Sequence, residues 1–394
     1  MKRLITADYV LNDDFVFKKS MTIELDNDLI TRVYDFVPKS SDIEYYPGVL
    51  IPAFVNTHCH LELSHLQNAV KDCDNLPNFV EQIVSQRINH SYHIIKEQID
   101  LADKELFDSG VQAVGDIANK IDSIYTKQKS KIFYHTFIEI YGFTPEQAEE
   151  RFSTATYLYN QFKNSGLRVS LVPHAPYSCC DTLLRKLKEY YTQNNDIFTI
   201  HLQESDEENK LFRDESNLFS TNFEKQGIKM FDFKKKYSDS VDRLIEYLPT
   251  KRNLLPVHNI YMDNKKISNL MNSSPGAEIY PVLCPESNLF IENKLPNIPM
   301  LQANGLKICI GTDSKASSKS FDVLKQLKII NNKLPNIAVN ELIKWATING
   351  AMALNINDKF GSLRTGKKPG ICLLDNASEV VNNQLENTTL KRIT

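Results

Sequence analysis

The chain has 394 residues, 42% hydrophobic and 24% charged, with 49 acidic against 46 basic side chains; this is the composition of a folded globular protein and excludes a disordered or fibrous one. A formal net charge of −3 leaves no basic excess for a nucleic-acid partner, and the short lysine runs Lys234 to Lys236 and Lys367-Lys368 read as solvated faces. No apolar run approaches the roughly 18 residues that cross a bilayer, Met1 to Asp8 lack the apolar stretch of a signal peptide, and seven irregularly spaced cysteines read as reduced thiols, so a cytoplasmic protein without a membrane partner is expected.

Residues 1 to about 50 alternate polar and apolar positions in short pieces, Leu4 to Leu11, Phe15 to Leu25 and Leu29 to Phe36, separated by Asn12-Asp13-Asp14 and Asp26-Asn27-Asp28. That pattern predicts small antiparallel strands. From Gly48 onward apolar β-rich runs alternate with longer helical segments. The expected strands are Val49 to Thr57, Val111 to Asp116, Ile132 to Ile140, Leu167 to Pro173, Ile197 to His201, Leu254 to His258, Ala277 to Leu283 and Lys307 to Thr312, eight in all. The expected helices include Leu76 to Arg87, His93 to Ser109, Pro145 to Asn164, Asp181 to Gln193 and Phe321 to Asn332. Alternating β and α with strands apolar on both faces predicts an α/β fold with a parallel sheet, and eight such units point to a closed (β/α)8 TIM barrel more than to an open sheet. No glycine-rich phosphate loop follows any of these strands.

The stretch Ser205 to Thr250 is longer and more charged than a connection needs, which predicts inserted helices or a lid beside the site. Glu341 to Leu354 reads as a helix carrying Trp345, the only tryptophan, and Gly361 to Asp375 returns to turn and strand character. A few isolated strands at each end cannot bury a core alone, so the tail is expected to pair with the N-terminal strands. The expected division is 1–50, a barrel over 51–355, and 356–394 joining the first part.

A barrel carries its catalytic residues at the C-terminal ends of its strands. The polar residues there are His58 and His60 after strand one, His174 after strand four, His201 after strand five, His258 after strand six and Asp313 after strand eight. His58 and His60 lie two apart on an extended chain, so both imidazoles can face one ion. Three imidazoles and a carboxylate suit Zn²⁺, with Fe²⁺, Mn²⁺ or Ni²⁺ also compatible, and His58, His60, His201 and Asp313 are assigned as its ligands. Asp313 also suits the cap of a following helix. Glu204, three residues past His201, is placed to reach the pocket as a general acid/base, or else opens a helix within the acidic run Glu204 to Glu208.

Six pieces occur in one order along nearly the whole chain: Pro52 to His60, Val172-Pro173-His174-Ala175-Pro176-Tyr177-Ser178, His201 with Glu204, Val257-His258, Cys284-Pro285-Glu286-Ser287-Asn288, and Gly311-Thr312-Asp313-Ser314. This set resembles the amidohydrolase superfamily, in the branch of mononuclear aminohydrolases that includes the deaminases of methylthioadenosine, S-adenosylhomocysteine, guanine and aminofutalosine. The resemblance implies a barrel flanked by a small β-sandwich built from both termini. It also implies one divalent metal ion on His58, His60, His201 and Asp313, with Glu204 as proton shuttle, His258 orienting the attacking water or the leaving-group side, and His174 contacting a substrate ring or carbonyl. The two-metal branches often place a lysine at the end of strand four, and Arg168 to Pro173 has none. Leu61-Glu62-Leu63-Ser64 resembles the aminofutalosine-deaminase type, where Glu62 either binds a substrate hydroxyl or amine or is a structural carboxylate. Pro369-Gly370-Ile371-Cys372 departs from the family's usual tail and puts the local strand pairing in question.

The expected reaction is hydrolytic removal of an amine from a small purine-like or other nitrogen heterocycle, with metal-bound hydroxide as nucleophile, ammonia released, and Glu204, His258 and Asp313 as catalytic groups. The same site also suits an amide, a cyclic amide or a carbon–halogen bond. A non-catalytic binding relative would be expected to lack some of these residues. A homodimer is the expected assembly.

Overall fold

The computed structural model describes residues 2–39, 42–71, 73–87, 90–213, 215–225, 227–228 and 237–394. The N-terminal segment forms β1 (Lys2–Leu11), β2 (Phe17–Lys18), β3 (Thr22–Asp26), β4 (Leu29–Tyr34) and β5 (Ile43–Pro52). The expected run Phe15 to Leu25 is two strands, because Ser20 adopts a left-handed backbone with φ 60° that no extended ladder accommodates.

Two parallel sheets follow. The first holds β6 (Phe54–Cys59), β7 (Val111–Ala118), β8 (Phe133–Ile140) and β9 (Arg168–Pro173) in that order. The second holds β10 (Phe198–Leu202), β11 (Asn253–His258), β12 (Glu278–Ile279), β13 (Val282–Leu283) and β14 (Cys309–Ile310). Their edges meet twice. The His201 N–H donates to the His174 carbonyl at 2.9 Å, while the N–H groups of Thr312 and Asp313 donate to the His58 carbonyl at 2.9 and 3.1 Å. The second contact needs a glycine: a Cβ on Gly311 would lie 2.9 Å from the His58 Cβ. Side chains from both sheets, among them Val55, Ile117, Phe137, Val172, Val257 and Val282, join in one buried cluster, so the two sheets face a shared, filled centre.

Three expected strands differ in extent. Val49 to Thr57 divides at Pro52: β5 pairs with the tail, then the Ala53 N–H turns to Gly370 and the Phe54 N–H to Gly110. Ala277 to Leu283 breaks into β12 and β13 at Pro281, which has no N–H for a ladder. Lys307 to Thr312 shortens to β14 as the chain turns toward Asp313.

Helices cover the outer faces at the expected places, including Leu76–Gln86, Pro145–Asn164, Asp181–Gln193 and Val323–Lys333. The helix Tyr92–Asp108 illustrates why they form. Ser91 caps it by accepting the Ile94 N–H, and Ile95, Ile99, Ala102 and Leu106 recur on one buried face. Burying each large apolar side chain there contributes about 1.5–3 kcal/mol. The expected helix over Glu341 to Leu354 consists of Val339–Lys344, a π-helical turn Trp345–Asn349 and Gly350–Ala353.

β15 (Ile371–Leu374) then pairs antiparallel with β5 and with β16 (Leu390–Arg392), completing a seven-stranded sheet in the order β16-β15-β5-β1-β3-β4 with β2 on β1. The tail therefore joins the N-terminal strands, and Pro369-Gly370 does not prevent the pairing. Within the expected insertion lie helices Asp206–Phe212, Leu218–Lys225 and Ser240–Leu244; Lys234 to Lys236 fall outside the described residues. Phe219 and Phe223 pack with Tyr177, Phe212 and Leu76, and the Tyr177 ring lies 5.8 Å from that of His174. All seven cysteines are free. Among the described residues no helix is long and apolar enough to cross a membrane.

Candidate active site

The ends of the parallel strands bring the predicted residues together. His58 lies within β6 and His60 just beyond it, His174 follows β9, His201 lies in β10, Glu204 follows β10, His258 ends β11 and Asp313 follows β14. The backbone bends sharply here. His258 (φ 74°), Asp313 (φ 58°) and Gln203 (φ 56°) all adopt left-handed conformations, each at a cost of about 1–3 kcal/mol that the surrounding structure must supply.

The imidazoles of His58 and His201 have centroids 4.9 Å apart, those of His58 and His60 also 4.9 Å, and those of His60 and His201 5.5 Å. Asp313 Oδ1 approaches His60 Nε2 at 3.3 Å and His58 Nε2 at 3.5 Å. Its other oxygen, Oδ2, accepts the hydroxyls of Ser287 (2.6 Å) and Ser317 (2.7 Å). Candidate ligand atoms of His58, His60 and His201 lie within 4.8 Å of one another, as do those of His58, His258 and Asp313. Both ring nitrogens of His58 are buried without a hydrogen-bond partner. Buried imidazole nitrogens left unpaired are costly unless something occupies them, so the donor set fits a divalent cation with nitrogen and oxygen preference.

The charge states agree with that fit. Burial first, then neighbouring histidines, pushes His201 well below its ordinary value. Burial likewise takes His60 to about 3 and both His174 and His258 to about 4. Those rings are neutral, with lone pairs available. For Asp313, burial acts upward, but the nearby imidazoles of His58, His60 and His258 hold the carboxyl well below the usual range. Glu204 goes the other way: burial, then the charges of Asp313, Glu208 and Glu292, hold it well above the usual carboxylate range. Its Oε1 lies 3.3 Å from His258 Nε2, and His258 Nδ1 bonds Asn288 Oδ1 at 2.8 Å. The site thus pairs a proton-bearing acid with an anionic one across a ring of imidazoles.

His174 Nδ1 bonds the Ser178 hydroxyl at 2.7 Å, and its carbonyl bonds His201 Nδ1 at 2.9 Å. Glu62 is buried, with Arg87 on one oxygen and the N–H groups of Asn119 (2.8 Å) and Lys120 (3.1 Å) on the other. Cys59 points away from the imidazoles, its thiol 3.4 Å from Asp116. Asp116 also accepts the Leu61 N–H (2.7 Å) and forms a fully buried ion pair with Lys127 (2.6 Å), which anchors the loop carrying His60.

Two acids escaped the sequence reading although the strand-end rule finds both. Asp116 closes the expected second strand. Glu139 lies near the end of β8, 3.5 Å from His201 Nδ1, and burial pushes it up to about 7. Ser287 and Asn288 sit in the Cys284-to-Asn288 piece, which named them without a role; for Ser317 and Glu208 no sequence signal pointed to the site.

A model of the amidohydrolase family matches residues 49–393. Among curated proteins, the 5-methylthioadenosine/S-adenosylhomocysteine deaminase of Pyrococcus abyssi is 26% identical over 372 residues, covering 89% of this chain and 80% of that protein. The 5'-deoxyadenosine deaminase of Methanococcus maripaludis is 26% identical over 335 residues, covering 81% and 72%. Among solved structures, Helicobacter pylori aminofutalosine deaminase in complex with methylthio-coformycin superposes with a TM-score of 0.83 at 19% identity, over 100% of both chains. Histidines and an aspartate converging on parallel strand ends, and a family match spanning nearly the whole length, lead to one conclusion: the chain belongs to the amidohydrolase family.

Proposed function

We propose that this protein is a metal-dependent hydrolytic deaminase acting on an amino-substituted purine nucleoside or a similar nitrogen heterocycle, with ammonia as a product. One observation carries this reading: Glu204, held in its acid form, stands 3.3 Å from His258 beside a set of buried imidazoles and the anionic Asp313. The deaminase relatives named above support the choice of bond. The two parallel sheets, joined at both edges, are read as one (β/α)8 barrel over 51–355, and the terminal sheet from 1–50 and 356–394 as its flanking β-sandwich.

His58, His60, His201 and Asp313 would hold one divalent ion, for which three nitrogen donors and a carboxylate favour Zn²⁺ over Fe²⁺, Mn²⁺ or Ni²⁺. Bound there, such an ion supplies Lewis acidity that makes water nucleophilic at neutral pH. Asp313 takes the proton of the attacking water, its carboxyl held in place by Ser287 and Ser317 at Oδ2. Glu204 would donate its proton to the ring nitrogen beside the reacting carbon, take up the hydroxyl proton of the tetrahedral carbon as its carbonyl forms, and pass that proton to the departing amine; the proton left on Asp313 then restores the acid form of Glu204. His258, held at Nδ1 by Asn288, presents Nε2 toward Glu204 and the charge that develops at the reacting carbon. His174, held at Nδ1 by Ser178, offers Nε2 to the substrate ring. Glu62 ties the loops after β6 and β7 together and borders the substrate's remaining substituents.

The test is metal analysis of the purified protein together with an ammonia-release screen over adenine nucleosides, guanine, pterins and aminofutalosine. One ion per chain and ammonia from a nucleoside are expected. Release of an acid or halide without ammonia would redirect the reading to an amide or carbon–halogen bond, and a metal-free, inactive protein would sink it.

A further inference from the structure

The turn that carries Glu204 is built more heavily than a strand end requires. Gln203 sits at φ 56°, a conformation that a residue with a β-carbon adopts only where its surroundings hold it. Its polar groups are all engaged in a buried network. Nε2 donates to Asn209 Oδ1 (2.9 Å) and Ser240 Oγ (2.7 Å), and Oε1 accepts Asn209 Nδ2 (3.1 Å). The Gln203 carbonyl accepts the Tyr261 N–H at 3.0 Å.

Glu208 turns its carboxyl back onto the same turn. One oxygen accepts the Gln203 N–H (3.3 Å) and the other the Glu204 N–H (3.1 Å). Local helix capping does not account for this. Ser205-Asp206-Glu207-Glu208 has the form of a capping box, and Ser205 does cap the helix by accepting the Glu207 N–H. In such a box the glutamate would return to the N–H of the capping residue itself. Glu208 instead reaches past Ser205 to the two residues that precede it, the second of which is Glu204.

We propose that Glu208, together with Gln203, Asn209 and Ser240, is a positioning clamp that locks the left-handed turn and keeps the Glu204 carboxyl against His258, so that it governs turnover without touching substrate. This deepens the deaminase reading and presupposes Glu204 as its proton carrier. Without Glu208, two buried N–H donors lose their acceptor and the left-handed turn is held only through the Gln203 side chain and carbonyl, so the Glu204 side chain swings out of line. Ser240 lies on the helix Ser240–Leu244, so the clamp also fastens the segment after β10 to the proton-handling group.

The test uses full-length, Zn²⁺-loaded protein and the variants Glu208→Ala and Ser240→Ala, with zinc content, crystal structures, and kcat and KM for ammonia release from 5'-methylthioadenosine. For Glu208→Ala we expect wild-type zinc content, loss of the Glu204–His258 contact in the crystal, and a fall in kcat of about 100-fold with KM changed less than about twofold. A purely structural role would lower stability and leave the kcat of the folded fraction unchanged. If Glu208→Ala does not fold, Ser240→Ala, which removes one hydrogen-bond partner from Gln203, should show the same displacement and a kcat loss of about fivefold. Glu204 unmoved in the folded variant, or a wild-type kcat, would overturn the clamp. If the wild-type protein releases no ammonia, the deaminase reading fails, and the crystallographic displacement alone decides whether the clamp exists.

Discussion

The wall of the pocket built by β6 and β14 and the wall built by β10 and β11 each carry one buried carboxyl group, and their surroundings drive the two groups to opposite states. Asp313 meets imidazoles on one oxygen and two serine hydroxyls on the other, and stays anionic despite burial. Glu204 meets a single neutral imidazole, with Asp313, Glu208 and Glu292 as its charged neighbours, and keeps its proton. Residue type therefore does not assign the roles; the count of donors against acids around each carboxyl does. A hydrolytic site gains a base and an acid from two side chains that are nearly interchangeable in water.

The harshest way to break this contrast is to remove a donor from the imidazole set that spans both walls. His201→Ala removes an imidazole of the ligand set and should abolish both zinc content and turnover. Metal analysis beside the ammonia assay checks both at once. Glu204→Gln breaks only the second wall. It should keep its zinc and lose 10²–10⁴-fold in kcat, the typical worth of a positioned general acid/base, and near-normal turnover would take Glu204 out of the mechanism.

A pH profile sharpens the contrast without removing either group. As the proposed acid, Glu204 has its pKa raised in the folded protein, so activity is expected below that raised value and should be lost as pH climbs through it. His258 is held at about 4 by burial first, so activity should fall again only as pH drops toward about 4 and the ring takes up a proton. The expected profile is a plateau bounded by these two limbs, and Glu204→Gln should erase the alkaline limb from whatever turnover is left. An alkaline limb unchanged in that variant would assign the limb to another group.

Much of the imidazole set and Asp313 was readable from the chain alone. His58 and His60 alternate correctly along an apolar strand, and His201, His258 and Asp313 each end an apolar run, so periodicity and the strand-end rule suffice. The setting of Glu204 was only half readable. Glu204 could be placed by its spacing from His201, but the partners that aim it depend on a left-handed turn and on helices brought in from residues 206–212 and 240–244, which pattern does not encode. Glu208 was hidden by a familiar disguise, because its spacing from Ser205 looks like ordinary helix capping. Glu139 and Asp116 were missed for a different reason: both sit where the strand-end rule applies and it was applied only to histidines and one acid. Pro52 and Pro281 interrupt the expected strands because a long apolar run does not reveal which sheet each half joins.

The mildest perturbation tests whether the serines matter to the first wall or merely decorate it. Ser317→Ala removes one of the two hydroxyls on Asp313 Oδ2, at 2.7 Å, and leaves Ser287 at 2.6 Å. A hydrogen bond to a charged acceptor contributes about 1.5–3 kcal/mol, and loss of a group that orients a metal ligand weakens metal affinity about 10–100-fold. With one donor fewer, the Asp313 carboxyl moves up toward the ordinary carboxylate range, so in the variant zinc affinity should begin to fall at a higher pH as the solution is acidified. Zinc titrations of both proteins between pH 5 and 8, with a competing chelator, measure that difference. Identical titrations at every pH would mean that the imidazoles alone keep Asp313 ionised and that the serines fix only its direction, in which case the two walls differ by their histidines and not by their hydroxyl groups.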